Sequence, residues 1–287
     1  MLPRVVESAR KAGEDVEVVI VDDASIDETA KVCQTLEGIR YIRLDQNQGV
    51  AGARNVGILG CSGDYITFLD DDDLRLPGSL DLQLKALEAA PEAGFVYGRV
   101  IEGDDDCNPT STARPQHCPT GDIFWQVLGW FFPPSRTVVF RKSCLLYVGM
   151  LNPALSGVDD WDLWIRIAER FPVTAVEESV AIWRGARATS GQGSSNWAKI
   201  IEAGTRAHEH GLKLPRAVAA PESKRREVHQ RFLDNISDSL IYRTALALKE
   251  GPGLKTLKPM GIALRRNPSR VFRPASFKFF MKTLASR

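Results

Sequence analysis

The 287-residue chain has five cysteines, Cys33, Cys61, Cys107, Cys118 and Cys144, and none shows the paired spacing of a zinc ribbon or a redox motif. Dispersed and odd in number, they imply reduced thiols and a cytoplasmic setting rather than a disulfide framework. Cys107, His117 and Cys118 share one polar stretch, but two cysteines and a histidine at that spacing are a weak zinc signal. No run of 18 apolar residues occurs, which argues against a transmembrane helix, and the amino end MLPRVVESARKAG lacks the apolar core of a signal peptide. Neither GxGxxG nor the P-loop pattern is present, so dinucleotide dehydrogenases and P-loop NTPases are disfavoured. Net charge is also small, +1, which argues against a nucleic-acid binder. Acidic residues are missing altogether from 251–287, which carries Lys255, Lys258, Arg265, Arg266, Arg270, Arg273, Lys278, Lys282 and Arg287.

What is present is 44% hydrophobic and 25% charged, enough for one large core or a core with an appended lobe. The first half alternates strand and helix patterns, which favours a parallel sheet. Strands are expected at 16–21 (VEVVIV), 39–44, 65–69 and 94–101, with a helix near 78–90. Between them QNQGVAGARNVGILGC supplies a helix whose small residues Gly52, Ala53 and Gly57 permit close packing on a sheet. Residues 103–120 have the composition of a long loop. Beyond it, VDDWDLWIRIAERF reads as a helix with Trp161, Trp164, Ile165 and Ala168 on one core-facing stripe. From about 197 the pattern is helical, interrupted by prolines and by Gly251 and Gly253.

The segment DYITFLDDDDLRLP drives an apolar run into four aspartates, Asp70 to Asp73. An apolar strand of that kind is buried in a parallel sheet, which sets the aspartates at its carboxyl end, where ligands bind in open α/β sheets. Packed carboxylates repel one another, and a hard divalent cation with oxygen ligands relieves the repulsion; an ordinary solvated acidic turn is the alternative. Asp22 and Asp23 end the strand at 16–21, and Asp159 and Asp160 open the helix after 158. If the strands are parallel, the first two clusters share one sheet edge.

Four segments in this order, VVIVDDASIDET, NQGVAGARNVG, GDYITFLDDDDLRLPGSL and VDDWDLWIRIAERF followed by VAIWR, resemble the family 2 glycosyltransferases of the GT-A fold over roughly residues 2–190. The resemblance implies an α/β, Rossmann-like, mostly parallel sheet flanked by helices over residues 1–190, with a helical extension and basic tail over 191–287. It also implies transfer of a sugar from a nucleoside-diphosphate sugar to a sugar or lipid-linked acceptor hydroxyl, with inversion, in cell-surface polysaccharide or glycolipid synthesis. By the same resemblance, Asp23 with Asp22 faces the nucleobase, Arg54 lies near the nucleotide, and Asp70 and Asp72 are the outer acids of the DxD motif, with Asp71 between them. Asp72, with Asp70, would hold Mn²⁺ or Mg²⁺, and Asp160 is the catalytic base, Asp159 standing where the family has Glu. The helix macrodipole would favour ionised Asp160, though helix capping alone also accounts for both acids. Asp73 reads as a turn or helix-entry residue.

The chain departs from the family at two places. Arg184 lies where the family often has an aromatic-Arg-x-His stretch; Ala186 occupies the His position, so the diphosphate contact of that His is lost or supplied by Arg187. The usual opening strand, central in the sheet, is also absent, and the chain begins inside the following helix. Either the sequence starts late, or another segment fills the gap, or the protein is a degenerate nucleotide-binding relative without transferase activity. Nucleotidyltransferases, which also pair carboxylates on an α/β sheet, are a further rival that VDDWDLWIR argues against. In the tail, basic residues interleaved with Phe, Leu and Met suit an anionic membrane surface on its cytoplasmic side; helices packed on the catalytic domain with solvated charges are the alternative.

Overall fold

The computed structural model describes residues 1–111, 113–185, 197–251 and 253–285, and these fall into two compact units. The first comprises Met1–Val127 with Phe132–Ala207, the second Leu128–Phe131 with His208–Arg287. The first unit opens with α1 (Leu2–Lys11), then β1 (Val18–Asp22), α2 (Thr29–Gln34), β2 (Ile39–Arg43) and α3 (Gly49–Gly60). It continues through β3 (Tyr65–Thr67), β4 (Leu74–Arg75), α4 (Ser79–Glu88), β5 (Phe95–Gly103) and α5 (Phe124–Leu128). β6 (Val139–Arg141), α6 (Leu145–Val148), α7 (Asp159–Arg170), β7 (Val173–Arg184) and α8 (Trp197–Gly211) follow, the last four residues of α8 belonging to the second unit.

The architecture is α/β as expected, but the main sheet is mixed. Its five strands run β3-β6-β5-β7-β4, and only β5 and β7 are parallel; β6 is antiparallel to β3 and β5, and β4 to β7. The apolar segment RTVVF reads as a short strand and is present as β6, three residues long; β4 is only two, too short for a sequence period to reveal, and neither length gives a direction. β1 and β2 pair in parallel as a separate two-stranded sheet. β3 is accordingly an edge strand rather than a central parallel one, and Asp22 and Asp70 do not lie on the edge of one sheet. No described strand pairs with both β1 and β3, the position in which the family's opening strand was expected.

Of the small residues named in α3, Gly57 acts as the sequence suggested: a Cβ there would come within 3.3 Å of Val21, whereas one on Gly52 would meet Gln48. Gly60, not singled out, is closer still, a Cβ there coming within 2.7 Å of Ile42, so the helix lies close on the β1–β2 pair. The stripe of α7 is core: Trp161 and Trp164 are buried, and Trp164 meets Phe95 at 5.4 Å, Phe140 at 5.6 Å and Phe68 at 6.4 Å between ring centroids. Such aromatic packing contributes about 0.5–1.5 kcal/mol per pair beyond area burial, and it lies directly beneath the acidic run that follows Phe68. The loop after β5 is not featureless, because it folds back along that strand through bridges Val100–Arg114 and Gly103–Pro109.

The second unit is helical: α9 (Pro215–Ala219), the long α10 (Glu222–Glu250), α11 (Lys258–Arg266), α12 (Pro268–Val271) and α13 (Pro274–Ala285). Pro215, Pro259, Pro268 and Pro274 stand at the starts of four of them, where a missing N–H costs nothing. No described helix is long and apolar enough to cross a membrane.

Candidate active site

Asp70 to Asp73 occupy the link that carries the chain from β3, at one edge of the main sheet, to β4 at the other. Five strands at ~4.8 Å spacing would set flat edges ~19 Å apart, close to the reach of so short a link; the sheet therefore curls toward the aspartates. The turn closes with Asp73 N–H donating to the Asp70 carbonyl at 3.2 Å. Asp73 itself is fully buried and anchors the link. It accepts from the Arg184 backbone N–H at 2.9 Å and from Arg136 Nε. Burial pushes its pKa up to about 6 despite Arg136. The turn expected of Asp73 is present, and the burial adds an anchoring role that the acidic run did not reveal.

The other acids meet arginines from three separate segments. Arg54 on α3 donates to Asp70 at 2.9 Å and to Asp159 at 3.3 Å, and its guanidinium lies 4.9 Å from the Phe68 ring centroid. Arg136 reaches the second oxygen of Asp70 at 3.4 Å and lies over Trp183. Arg184, the last residue of β7, pairs with Asp72 at 3.2 Å. The neighbouring Asn55 fixes α3 against the segment before α7, donating to the Leu151 carbonyl at 2.9 Å and accepting from its N–H at 3.0 Å. Arg54 thereby holds acids that are 89 residues apart in sequence, Asp70 and Asp159, within one guanidinium's span.

Asp159 and Asp160 open α7 in near-complete burial, 2% and 7% exposed. Asp160 accepts from the Trp161 N–H at 2.8 Å. The helix dipole favours its ionised form, but burial, then the adjacent Asp159, raise its pKa, outweighing Arg54 and the backbone donor. Asp159 is likewise raised by burial, with Arg54 opposing. Asp70 goes the other way, because Arg54 and Arg136 outweigh its burial.

Asp22 and Asp23 sit at the end of β1. Asp22 is buried and fully engaged, accepting from Tyr41 Oη at 2.6 Å, Arg43 at 2.6 Å and the Ser25 N–H at 2.7 Å. Burial is outweighed by these donors, so its pKa lies below the ordinary value. Asp23 Oδ1 accepts from the Gln48 N–H at 2.6 Å, just ahead of α3, where Gly49 takes a left-handed φ of 74°. Asp71 is exposed. Of the residues singled out in the sequence, Arg54, Asp70, Asp159 and Asp160 converge; Asp22 and Asp23 lie on the separate small sheet. Ala186 and Arg187 fall outside the described residues. Arg136 carries no sequence signal and was missed.

An α/β unit that gathers carboxylates and arginines at the curled end of its sheet is the class of site that handles anionic, phosphorylated ligands. The glycosyl transferase family 2 profile matches residues 1–145, and the chain belongs to that family. A glycosyltransferase of Bacillus subtilis, YwdF, is 30% identical over 228 residues, covering 76% of this chain and 84% of that protein. One of Haemophilus influenzae is 28% identical over 172 residues, 58% of each chain, so the match spans little more than half of that relative. Among solved structures, Staphylococcus aureus TarS shares the fold, with a TM-score of 0.65 at 14% identity over 99% of this chain and 51% of TarS; its 1–349 fragment has been solved with UDP and with UDP-GlcNAc.

Proposed function

We propose that this chain transfers a sugar from a nucleoside-diphosphate donor to an acceptor hydroxyl with inversion, the acceptor belonging to cell-surface polysaccharide or glycolipid synthesis. The observation that carries the reading is the Arg54 bridge, which brings the acidic run and the acid pair of α7 to one place. Family membership and the UDP complexes of TarS support the donor class. Asp160 is the base: it takes the acceptor hydroxyl proton as the oxygen attacks the anomeric carbon, and the bond to the diphosphate breaks with its electron pair leaving on the nucleotide. A pKa raised by burial suits a base near neutral pH better than an ordinary aspartate does, provided that it is ionised when the acceptor binds. Asp23 faces the nucleobase, with Asp22 buried beside it and held by Tyr41, Arg43 and Ser25, and Arg54, Asp70 and Asp71 line the nucleotide.

A divalent cation fits the donor set. The described residues bring no three His, Cys, Asp or Glu side chains together as a metal cage, yet Mg²⁺ or Mn²⁺ shared with a diphosphate needs only one or two carboxylates. Asp72 would hold it, assisted by Asp70, both of whose oxygens already carry guanidinium partners. When bound, the ion neutralises charge on the departing diphosphate. Calorimetry with UDP, GDP and dTDP, with and without Mn²⁺, tests the reading. One nucleotide should bind, and more tightly with metal; absence of binding by all three would overturn it, and metal-independent binding would remove the role of Asp72.

A further inference from the structure

Helix α13 leaves apolar side chains in water. Its fully buried positions are polar, Ser276 at 5% and Thr283 at 8% exposure, with Phe280 and Leu284 half-buried beside them, while Phe277 and Met281 stand 66% and 47% exposed. The two buried hydroxyls are satisfied locally, on the carbonyls of Arg270 at 2.7 Å and Phe279 at 2.9 Å, so no polar group is stranded there. Phe277 and Met281 are four residues apart, as are Lys278 and Lys282, and on a helix they form two adjacent stripes, both facing out. Phe272, in the turn just before, is 77% exposed. A single exposed phenylalanine needs no explanation, but an apolar stripe on a helix that buries its hydroxyls does.

Charge decides what covers it. Between 258 and 285 there is no Asp or Glu. Arg270 is neutralised within the unit by Asp238 and Asp234, and Arg273 by Asp234. Lys278 and Lys282, which flank the apolar stripe, have no ion pair among the described residues. A second copy docked on the same face would set lysines against lysines, which disfavours self-association. A layer of anionic headgroups takes the lysines at its phosphates and the apolar side chains at the boundary with the acyl chains. We propose that the exposed face of α13, with Phe272 beside it, docks the chain on an anionic lipid surface. The inference rests on the second unit alone and is independent of the catalytic reading.

Flotation of the full chain with vesicles of phosphatidylcholine, alone or mixed with phosphatidylglycerol, tests it. The chain should float with the mixed vesicles at low salt, remain behind with phosphatidylcholine alone, and be released as salt screens the attraction. Neutralising Lys278 and Lys282 to Gln should weaken binding about fivefold per lysine, and Phe277→Ser with Met281→Ser should weaken it by at least about tenfold, each with an unchanged melting temperature. Should the serine pair lower the melting temperature, the lysine pair carries the test. No flotation at low salt, or equal flotation with uncharged vesicles, would overturn the proposal. So would a dimer in sedimentation velocity that the serine pair dissociates, since the face would then be a contact between copies.

Discussion

Replacing Arg54 with methionine removes the guanidinium shared by Asp70 and Asp159 while keeping most of the side-chain volume over Phe68. The two partners differ in weight. Asp159 is 2% exposed, whereas the Asp70 side chain is 39% exposed, so solvent screens the second pair and its loss counts for less. Charges ~4 Å apart at an effective dielectric near 20 interact by about 4 kcal/mol before desolvation, and removing one partner of a buried pair costs ~3–5 kcal/mol in practice. A loss of about 3 kcal/mol is therefore expected at pH 8. The sign with pH follows from the carboxylates. Without Arg54, Asp159 and Asp160 have folded-state pKa values further above their unfolded ones, so the penalty is fully present above the folded pKa and fades as pH falls through it. At pH 5 the variant should lose only the packing share and the solvent-screened pair with Asp70, which stays ionised there, together ~1–2 kcal/mol. Urea unfolding followed by tryptophan fluorescence at the two pH values measures both, with Trp164 in the aromatic cluster as reporter. Equal losses at pH 5 and pH 8 would show that Arg54 acts through packing, and would sink the claim that it holds the two acid groups together by charge.

The remaining predictions concern other charged groups. Asp160→Asn should abolish sugar transfer while UDP affinity stays within about threefold, since the amide keeps the shape but takes no proton; retained turnover assigns the base elsewhere. His208 is fully buried, its Nδ1 2.9 Å from the Leu128 carbonyl and its Nε2 3.0 Å from His229, and burial lowers its pKa to about 4. Its neutral form is favoured in the fold, so stability should fall as pH drops from about 6.5 to 4, by ~3 kcal/mol in all; a His208→Gln variant with the same acid sensitivity in urea unfolding would refute this. Arg166 pairs with buried Asp162 at 2.8 Å and caps the Met150 carbonyl at 2.9 Å, so Arg166→Leu should cost ~3–5 kcal/mol at neutral pH. A midpoint shift equivalent to less than about 1 kcal/mol would mean that Asp162 finds another partner.

The long elements were legible because their periods were. β5 and α7 run nine and twelve residues, enough for an apolar run or a helical stripe to declare itself, and Gly57 of α3 announced a close approach that Val21 completes. The direction of β4 and β6 was not legible. Two or three residues paired antiparallel at the flanks of the sheet carry no period, and their orientation is set by the curl and by partners more than 40 residues away. Reading the 65–69 segment as a central strand failed for a related reason: Ile66 and Phe68 are buried, but by packing from the aromatic cluster and one neighbouring strand rather than by strands on both sides.

Acids and arginines of the site differ in the same way. Acids that follow an apolar strand or open a helix are placed by local structure, so Asp23, Asp70 and Asp160 could be named from their neighbours in sequence. Their counter-charges follow from a global condition: carboxylates gathered in a partly dry place need cations nearby, or else protons. That condition says cations must be present without saying which ones. Arg54 was found because NQGVAGARNVG resembles a segment of the family, and Arg184 because VAIWR does. Arg136 enters from a short turn before β6 and lies over Trp183, and nothing local to it marks its destination. Where arginines did not suffice, the structure takes the other course: Asp73, Asp159 and Asp160 are buried acids whose burial outweighs their partners, and their pKa values are raised. Asp70, with two guanidiniums, moves down. One cluster therefore contains Asp70, held ionised by two guanidiniums, and, 90 residues away in sequence, Asp160, whose burial raises its pKa. Such a separation of pKa values between neighbouring carboxylates supports the proposed division into a charged ligand-facing acid and a base.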